Sequence, residues 1–245
     1  MTKLAVIAAA GLGSRLGDIT INKPKGFLMI DGNTLIERSV TNLIDMGVER
    51  ILIGTGYLSK IYEQFALSYD QITCIKNKNY RLTGSMATLF NMHEYINDDF
   101  LFLESDLLYG KDALEYLFSD DRKDLILASG TTNSNDEVFI ESNKFNHLIK
   151  MSKNKNELNN IFGELVGISK ISLNKFNHMC DLFQTNQCLN DIDYEHVMSM
   201  VSSQSSPFFI KKIEDLAWCE IDDEDQLAIA KNKIINIINK KKSSQ

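Results

Sequence analysis

The sequence predicts an α/β protein in which helices flank a Rossmann-like, mixed but mostly parallel sheet that carries a small lid or insertion. One observation is the continuous apolar run Leu4–Ala9, which is typical of a strand covered on both faces. A second is the alternation of strand and helix patterns through the first half of the chain. A third is the change of character in the second half, where a polar hairpin pattern is followed by a polar, asparagine-rich loop at residues 154–160.

The elements of the first half follow one another in a regular order. Helices are predicted at residues 34–46, 59–69, 85–95 and 113–118, the first of them closed by Gly47. Further strands are predicted at residues 50–54, 72–75, 100–103 and 125–128. Ligands of such sheets bind beyond the carboxyl ends of the strands, which points to the loop after Ala9, to residues 54–57 and to Asp106.

The second half is less regular. Residues 137–141 and 147–151 have the pattern of a polar hairpin, residues 154–160 that of a loop, and residues 173–183 and 194–201 that of helices. Strands are predicted at 164–171, 208–213 and 217–221, and a closing amphipathic helix at 222–238. We therefore expect one domain over residues 1–239, with residues 130–200 as a lid or insertion, followed by a lysine-rich tail at 240–245.

Composition excludes several classes of protein. The chain has 245 residues and a formal net charge of −7, so a nucleic-acid partner is not expected. The four cysteines have no CxxC spacing, which argues against a disulfide framework or a zinc site and favours a cytoplasmic location. No apolar run is long enough to insert into a membrane.

The loop after the first strand has the residues of a phosphate-binding turn. Gly11 and Gly13 let the backbone approach a phosphate chain, and Arg15 and Lys25 add cations, with Pro24 stiffening the approach of Lys25. A tight turn with surface bases is the alternative interpretation.

The spacing of this loop does not fit a dinucleotide site. The third glycine, Gly17, comes one residue late for G-x-G-x-x-G, although Asp31 lies 20 residues beyond Gly11, where a ribose-binding acid is found. A full helix over residues 14–23 is doubtful because that segment holds Gly17 and three β-branched residues before Pro24. The P-loop ending G-K-[ST] is absent.

Two acids follow predicted strands. Asp106 and Asp222 could converge on Mg²⁺, which prefers oxygen ligands together with substrate phosphates. The alternatives are a strand-end turn for Asp106 and a helix N-cap for Asp222, with Asp223 and Glu224 in the first turn.

Thr83 and Ser85 precede the predicted helix after the third strand. They could cap that helix or present hydroxyls to a nucleobase. None of the four histidines lies in a motif, which suits a transfer reaction that needs no general base.

Several motifs together resemble the bacterial nucleotidyltransferases of the cytidylyltransferase branch. Nearest are the 2-aminoethylphosphonate cytidylyltransferases, and the phosphocholine cytidylyltransferases come next. The resemblance covers nearly the whole chain and is carried by residues 9–15 (AAGLGSR), 23–28 (KPKGFL), 83–86 (TGSM), 104–107 (ESDL), 162–168 (FGELVGI) and 218–223 (WCEIDD).

The resemblance implies a nucleotidyltransferase fold, also called GT-A-like, and a reaction. CTP and 2-aminoethylphosphonate would give CMP-2-aminoethylphosphonate and pyrophosphate. Arg15 and Lys25 would be catalytic, stabilising the α-phosphate and the leaving pyrophosphate, and Asp106 and Asp222 would hold Mg²⁺. The CTP-binding residues would be Ala10, Gly11, Gly13, Ser14, Thr83, Gly84, Ser85 and Ser105.

The acceptor would be a small phosphonate bound by the second half of the chain. Candidate contacts are Ser129, Asp136, Lys153, Glu164, Asp193, Tyr194 and Glu195. We expect Lys153 to bind the phosphonate and Tyr194 or Glu195 to face the ammonium. The alternative for each is a solvated loop or helix-start position, with Asp193 as an N-cap.

Other functions stay open at this point. Phosphocholine or another phosphonate could be the acceptor, although a quaternary amine favours an aromatic cage and only Tyr194 and Trp218 are available. The chain could also be an inactive nucleotide-binding regulatory protein or, more distantly, a dinucleotide-dependent oxidoreductase. A homodimer is possible.

Overall fold

The structure, a computed structural model, describes residues 2–186, 189–204 and 207–243. Within them nine strands form one twisted sheet, and two short two-stranded sheets flank it. The nine strands are β1 (Leu4–Ala9), β4 (Arg50–Thr55), β5 (Ile72–Lys76), β6 (Phe100–Glu104), β8 (Leu125–Ser129), β9 (Phe139–Ser142), β10 (Leu148–Ser152), β11 (Gly163–Ile171) and β12 (Phe209–Ile213). The small sheets pair β2 (Met29–Ile30) with β3 (Asn33–Thr34) and β7 (Leu107–Tyr109) with β13 (Trp218–Glu220).

The central sheet is mixed and mostly parallel in the part built by the first half of the chain. The order is β10-β9-β11-β6-β1-β4-β5, with β8 and β12 attached beside β11. Strands β6, β1, β4 and β5 are parallel to one another, whereas β11 runs antiparallel to β6, β8 and β9. The predicted fold class is therefore confirmed.

Alternating side chains divide the core between the two faces of the sheet. In β1, Leu4 and Val6 belong to one apolar cluster, and Ala5 and Ile7 belong to the other. All four are almost completely buried, as the continuous apolar run predicts for a strand covered on both faces.

Eight helices lie among the described residues. They are α1 (Leu35–Asp45), α2 (Ser59–Ala66), α3 (Ser85–Phe90), α4 (Asp112–Phe118), α5 (Leu173–Thr185), α6 (Tyr194–Gln204), α7 (Glu224–Ile229) and α8 (Ile235–Lys242). Helix α1 begins at a capping box in which Thr34 and Glu37 bind each other's backbone N–H. Helix α3 is shorter than predicted because several hydrogen bonds beyond Phe90 span three residues, as from His93 N to Phe90 O at 3.0 Å. No described helix combines the length and the apolar character needed to cross a bilayer.

The closing helix differs from its prediction in two ways. Its N-cap is Asp223, which forms a capping box with Gln226, so the interpretation of Asp222 as the N-cap is wrong. The helix also contains a π-helical segment, Ala230–Ile234, between α7 and α8. The side chain of Asp222 therefore does not cap this helix.

Residues 130–200 contribute to the sheet itself. The predicted hairpin is present as β9 and β10, but β9 is wholly buried, including Glu141, whose carboxylate accepts hydrogen bonds from Asn159 N at 3.0 Å and Nδ2 at 2.9 Å. Strand β11 lies inside the sheet between β6 and β9. The last residues of the predicted tail, 244 and 245, lie outside the described part of the chain, as does Cys188.

Candidate active site

A cavity of about 260 Å³ opens where strands β1 and β6 end. This is the edge at which the parallel strands present their carboxyl ends, as the strand-end rule predicts. The predicted residues that line it are Ala10, Gly11, Lys25, Thr83, Gly84, Ser85, Ser105 and Asp106. Gly13, Ser14, Arg15 and Asp222 do not line this cavity.

The first loop turns back under the cavity instead of starting a long helix. Gly13 has φ 65°, a left-handed conformation that favours glycine, and its carbonyl accepts a hydrogen bond from Thr20 Oγ1 at 2.8 Å. The 3₁₀ segment Ser14–Thr20 is broken at Gly17, where φ is 50° and ψ is −126°. The expectation that no dinucleotide-type helix follows Gly13 is therefore confirmed.

Lys25 joins the two predicted metal ligands. It begins a short 3₁₀ turn, Lys25–Phe27, after extended Pro24. Its ammonium donates to Asp106 Oδ2 at 2.9 Å and makes a short contact with Asp222 Oδ1. Asp106 and Asp222 do converge, and the ammonium of Lys25 lies between them.

This arrangement shifts the pKa values of Lys25 and Asp222. Burial favours neutral Lys25, but the charges of Asp106 and Asp222 outweigh it and raise the pKa of Lys25. Burial also favours protonated Asp222, but Lys25 outweighs it and holds the pKa of Asp222 well below its ordinary value. Lys25 and Asp222 therefore stay charged at neutral pH.

Three carboxylate oxygens, one of them from Asp106, lie close enough to share a cation. They belong to Glu104, Asp106 and Glu220, and all lie within 4.8 Å of one another. Burial and then the charge of Asp106 raise the pKa of Glu104 to about 8, and burial together with Glu104 raises that of Glu220 well above its ordinary value. In addition, Oδ2 of Asp222 is buried without a hydrogen-bond partner. A divalent cation would offset the repulsion in such a cluster, so these residues fit Mg²⁺.

The segment at Ser85 is tied to the start of α6. The backbone N–H and the hydroxyl of Ser85 both donate to Asp193 Oδ1, at 3.1 and 2.9 Å. At Gly84 an added Cβ would lie 2.2 Å from the carbonyl oxygen of Ile192, so only glycine fits there. Neither Thr83 nor Ser85 caps α3, whose N-cap is Gly84 without a side-chain bond, so the capping interpretation is wrong.

A second cavity, of about 190 Å³, adjoins the first. The two share Ser85, Glu104, Asp193 and Glu220 as lining residues. Of the predicted acceptor residues, the cavity is lined by Asp136, Lys153, Glu164, Asp193 and Glu195, together with Trp218. Its wall is strongly acidic and has one described lysine, Lys153.

Two buried polar atoms in the wall of this second cavity, besides Asp136 Oδ2 next to Arg15, have no hydrogen-bond partner. Glu164 is 1% exposed; its Oε2 accepts from Thr132 N at 2.8 Å, while its Oε1 is unpartnered. The indole N–H of Trp218 is also unpartnered. Burial raises the pKa of Glu164, and burial followed by the charge of Asp193 raises that of Glu195 to about 7. Unsatisfied groups of this kind are costly and often indicate a ligand position.

Ser129 and Tyr194 lie elsewhere. Ser129 donates its hydroxyl to Gly130 O at 2.8 Å at the end of β8. Tyr194 is 1% exposed, and the centroid of its ring lies 4.4 Å from that of Phe102 in the core. The structure therefore does not bring either residue into the wall of the second cavity.

Glu104 and Glu220 were not predicted from the sequence as site residues. Each stands two residues before a predicted aspartate, Asp106 or Asp222, at the end of its strand. An acid two residues before each predicted metal ligand is the signal that could have identified them.

Comparison with known proteins agrees with this geometry. Residues 5–166 match the family described as MobA-like NTP transferase domain. The choline-phosphate cytidylyltransferase of Haemophilus influenzae is 36% identical over 107 residues, which are 44% of this chain and 45% of that protein. The 2-aminoethylphosphonate cytidylyltransferase of Lancefieldella rimae is 29% identical over 105 residues, which are 42% and 44%. The UTP–glucose-1-phosphate uridylyltransferase AglF of Haloferax volcanii is 28% identical over 106 residues, which are 43% and 44%.

The matched stretch thus spans less than half the length of each of these relatives. Among solved structures, the inositol-1-phosphate CTP transferase from T. maritima superposes with a TM-score of 0.83 at 21% identity, covering 98% of this chain and 96% of that one. This similarity extends over nearly the whole fold, including the strands that carry both cavities.

Proposed function

The chain belongs to the MobA-like NTP transferase family and is a nucleotidyltransferase; from this premise we propose that it is a cytidylyltransferase that condenses CTP with 2-aminoethylphosphonate to give CMP-2-aminoethylphosphonate and pyrophosphate. The observation that carries the proposal is the acidic second cavity, in which a buried, half-partnered Glu164 and a lysine adjoin the nucleotide cavity. An acceptor with one cationic and one anionic end matches this wall.

CTP is the nucleotide that two of the three reported relatives use according to their names. The triphosphate would lie along Gly11 and Gly13, whose backbone can approach phosphate oxygens. The base would lie in the first cavity beside Thr83 and Ser85, where backbone and hydroxyl groups meet.

The acceptor amine is assigned to Glu164. A carboxylate that is 1% exposed and has one oxygen without a partner is stabilised by a cation that fills the position. Glu195 is a second acid in the same wall, whereas Tyr194 is turned into the core. Among the described residues, Trp218 is the aromatic side chain in this wall. A single ring favours a primary ammonium over a quaternary one, which needs a cage of several rings. Lys153 would bind the phosphonate.

The reaction needs positioning and charge neutralisation more than proton transfer. A phosphonate oxygen, already ionised near neutral pH, attacks the α-phosphorus of CTP. The new P–O bond forms as the bond between the α-phosphorus and the bridging oxygen breaks, and pyrophosphate leaves with that oxygen. Arg15 and Lys25 would stabilise the charge on the α-phosphate and on the leaving group. No general base is required.

Magnesium would be held by Asp106 and by the free oxygen of Asp222, with Glu104 and Glu220 adjacent. When bound, the ion would neutralise phosphate charge. Lys25, which lies between the two aspartates, would then be shared between them and the substrate phosphates.

The proposal is tested by measuring pyrophosphate release from CTP and from UTP in the presence of magnesium. The acceptors are 2-aminoethylphosphonate, phosphocholine and phosphoethanolamine. We expect the highest kcat/KM with CTP and 2-aminoethylphosphonate. Higher turnover of phosphocholine would support the second candidate, which is favoured by the 36% identity to a choline-phosphate cytidylyltransferase. The absence of pyrophosphate release with every acceptor would favour a nucleotide-binding regulatory protein.

A further inference from the structure

Asp136 lines the second cavity and pairs with two cations through its two carboxylate oxygens. Its Oδ2 lies 2.7 Å from Nη1 of Arg15, the cation of the first loop. Its Oδ1 lies 2.8 Å from Nζ of Lys153, the cation of the second cavity. One anion thus holds a cation from the nucleotide side and a cation from the acceptor side.

The loop that carries Asp136 has the conformation needed for this reach. Asn133 and Asn135 have φ of 58° and 69°, in the left-handed region that asparagine tolerates better than most residues. The Asp136 side chain is 18% exposed, whereas those of Arg15 and Lys153 are about half exposed. Asp136 is therefore the most buried of the three, and both cations reach the surface.

Arg15 is held at both ends of its guanidinium group. While Nη1 contacts Asp136, Nη2 lies 2.9 Å from Asp222 Oδ1. Asp222 is also the partner of Lys25, so the ion pairs form a continuous chain from Lys153 through Asp136, Arg15 and Asp222 to Lys25. Such a chain fixes the directions of several cations at once, and their alignment determines whether two phosphoryl groups meet in line.

We propose that Asp136 is a positioning residue that holds Arg15 and Lys153 in register, so that the α-phosphate of the nucleotide and the anionic end of the acceptor meet in line. This inference rests on the proposed function, because it assumes that each cation contacts one of two phosphorus-containing substrates. In this role Asp136 acts on both substrates through the two cations.

The proposal makes an unusual kinetic prediction for Asp136→Asn. Without the negative charge, Arg15 and Lys153 stay free to contact ground-state phosphates, so neither KM rises. Their alignment is lost, so kcat falls by roughly 10- to 100-fold. Asp136→Glu keeps the charge and recovers part of kcat. In a Lys153→Ala background, Asp136→Asn lowers kcat by a smaller factor than in the wild type, because one of its two routes is gone.

Asp120→Asn is the matched control. Asp120 is also a largely buried aspartate with two cationic neighbours, Arg122 and Lys211, but it lies outside both cavities. We expect it to leave kcat and both KM values unchanged. An equal loss of kcat in Asp120→Asn, a wild-type kcat in Asp136→Asn, or a rise of both KM values at unchanged kcat would each overturn the positioning role.

The wild type is assayed first with each of the three acceptors. The variants are then compared with the acceptor that supports pyrophosphate release. A different best acceptor therefore corrects the proposed function and leaves this comparison intact. An inactive wild type overturns both proposals, whereas an active wild type with an equally active Asp136→Asn overturns only this one.

Discussion

The ammonium of Lys25 lies 2.9 Å from Oδ2 of Asp106, although 81 residues separate them in the chain. The same nitrogen contacts Asp222 on the far side. The side chains of Lys25 and Asp106 are each 15% exposed and that of Asp222 is 3% exposed. One lysine is therefore a counter-ion to two largely buried carboxylates, and its loss would remove this partner from Asp106 and leave Asp222 paired with Arg15.

Lys25→Met should lower both stability and activity. We expect the free energy of unfolding to fall by about 3–5 kcal/mol, because removing one partner exposes the full cost of buried charge. The measurement is urea unfolding, with Lys3→Met, which removes an exposed ion pair to Glu49, as the control. Adding Asp222→Asn to Lys25→Met should restore part of the stability but no activity. If the double variant is less stable than the single one, the lysine is not there to balance Asp222.

Substitution of the proposed magnesium ligands should change the metal requirement. We expect Asp106→Asn and Asp222→Asn each to lower kcat by roughly 100- to 1,000-fold, the loss typical of one charge-stabilising group, and to raise the magnesium concentration needed for half-maximal activity. Glu157→Gln, at an exposed ion pair with Lys150, should change neither. An unaltered magnesium dependence in both aspartate variants would contradict the assignment.

Glu164→Gln should selectively weaken the binding of the acceptor. The amide fills the same space but cannot neutralise an ammonium. We therefore expect kcat/KM for 2-aminoethylphosphonate to fall roughly 30-fold, which corresponds to about 2 kcal/mol of lost transition-state stabilisation. KM for CTP should not change. The matched control is Glu141→Gln, because Glu141 is equally buried but has both oxygens bound by Asn159. Equal effects of the two substitutions would show that burial of an acid, and not amine binding, is responsible.

Sequence patterns predict the central sheet well because each strand has its own local signal. The alternation of Leu4 and Val6 with Ala5 and Ile7 places side chains on both faces whatever the rest of the chain does. The short pairing of β7 with β13 is different: three residues on each side meet across more than 100 residues of chain, and no local pattern indicates such a partner.

The candidate site also has some features that the sequence predicts and others that it does not. The residues of the first loop and the two strand-end aspartates follow from motif and spacing. The position of Lys25 between those aspartates does not, because an ion pair depends on where three distant segments meet. The link from Arg15 through Asp136 to Lys153 also depends on two left-handed asparagines, whose conformation the sequence permits but does not impose.

The ion pair of Asp120 should make stability depend on pH. Hydrogen bonds from Arg122, at 3.1 Å for its backbone N and 2.8 Å for Nε, hold the pKa of Asp120 well below its ordinary value. A carboxyl with a lowered pKa stabilises the fold fully above its ordinary pKa of about 3.9, and this contribution is lost as the pH falls toward the lowered value. Because the Arg122 side chain is 40% exposed, solvent weakens the pair.

Asp120→Asn should therefore be less stable than the wild type at pH 7 by about 1 kcal/mol, a value reduced for solvent screening. The difference should shrink steadily below about pH 4, since the wild type then loses the same charge. Urea unfolding of both proteins at pH 7, 5 and 3 measures it. A difference that stays constant down to pH 3 would mean that Asp120 contributes by packing or by neutral hydrogen bonds, and not through its charge.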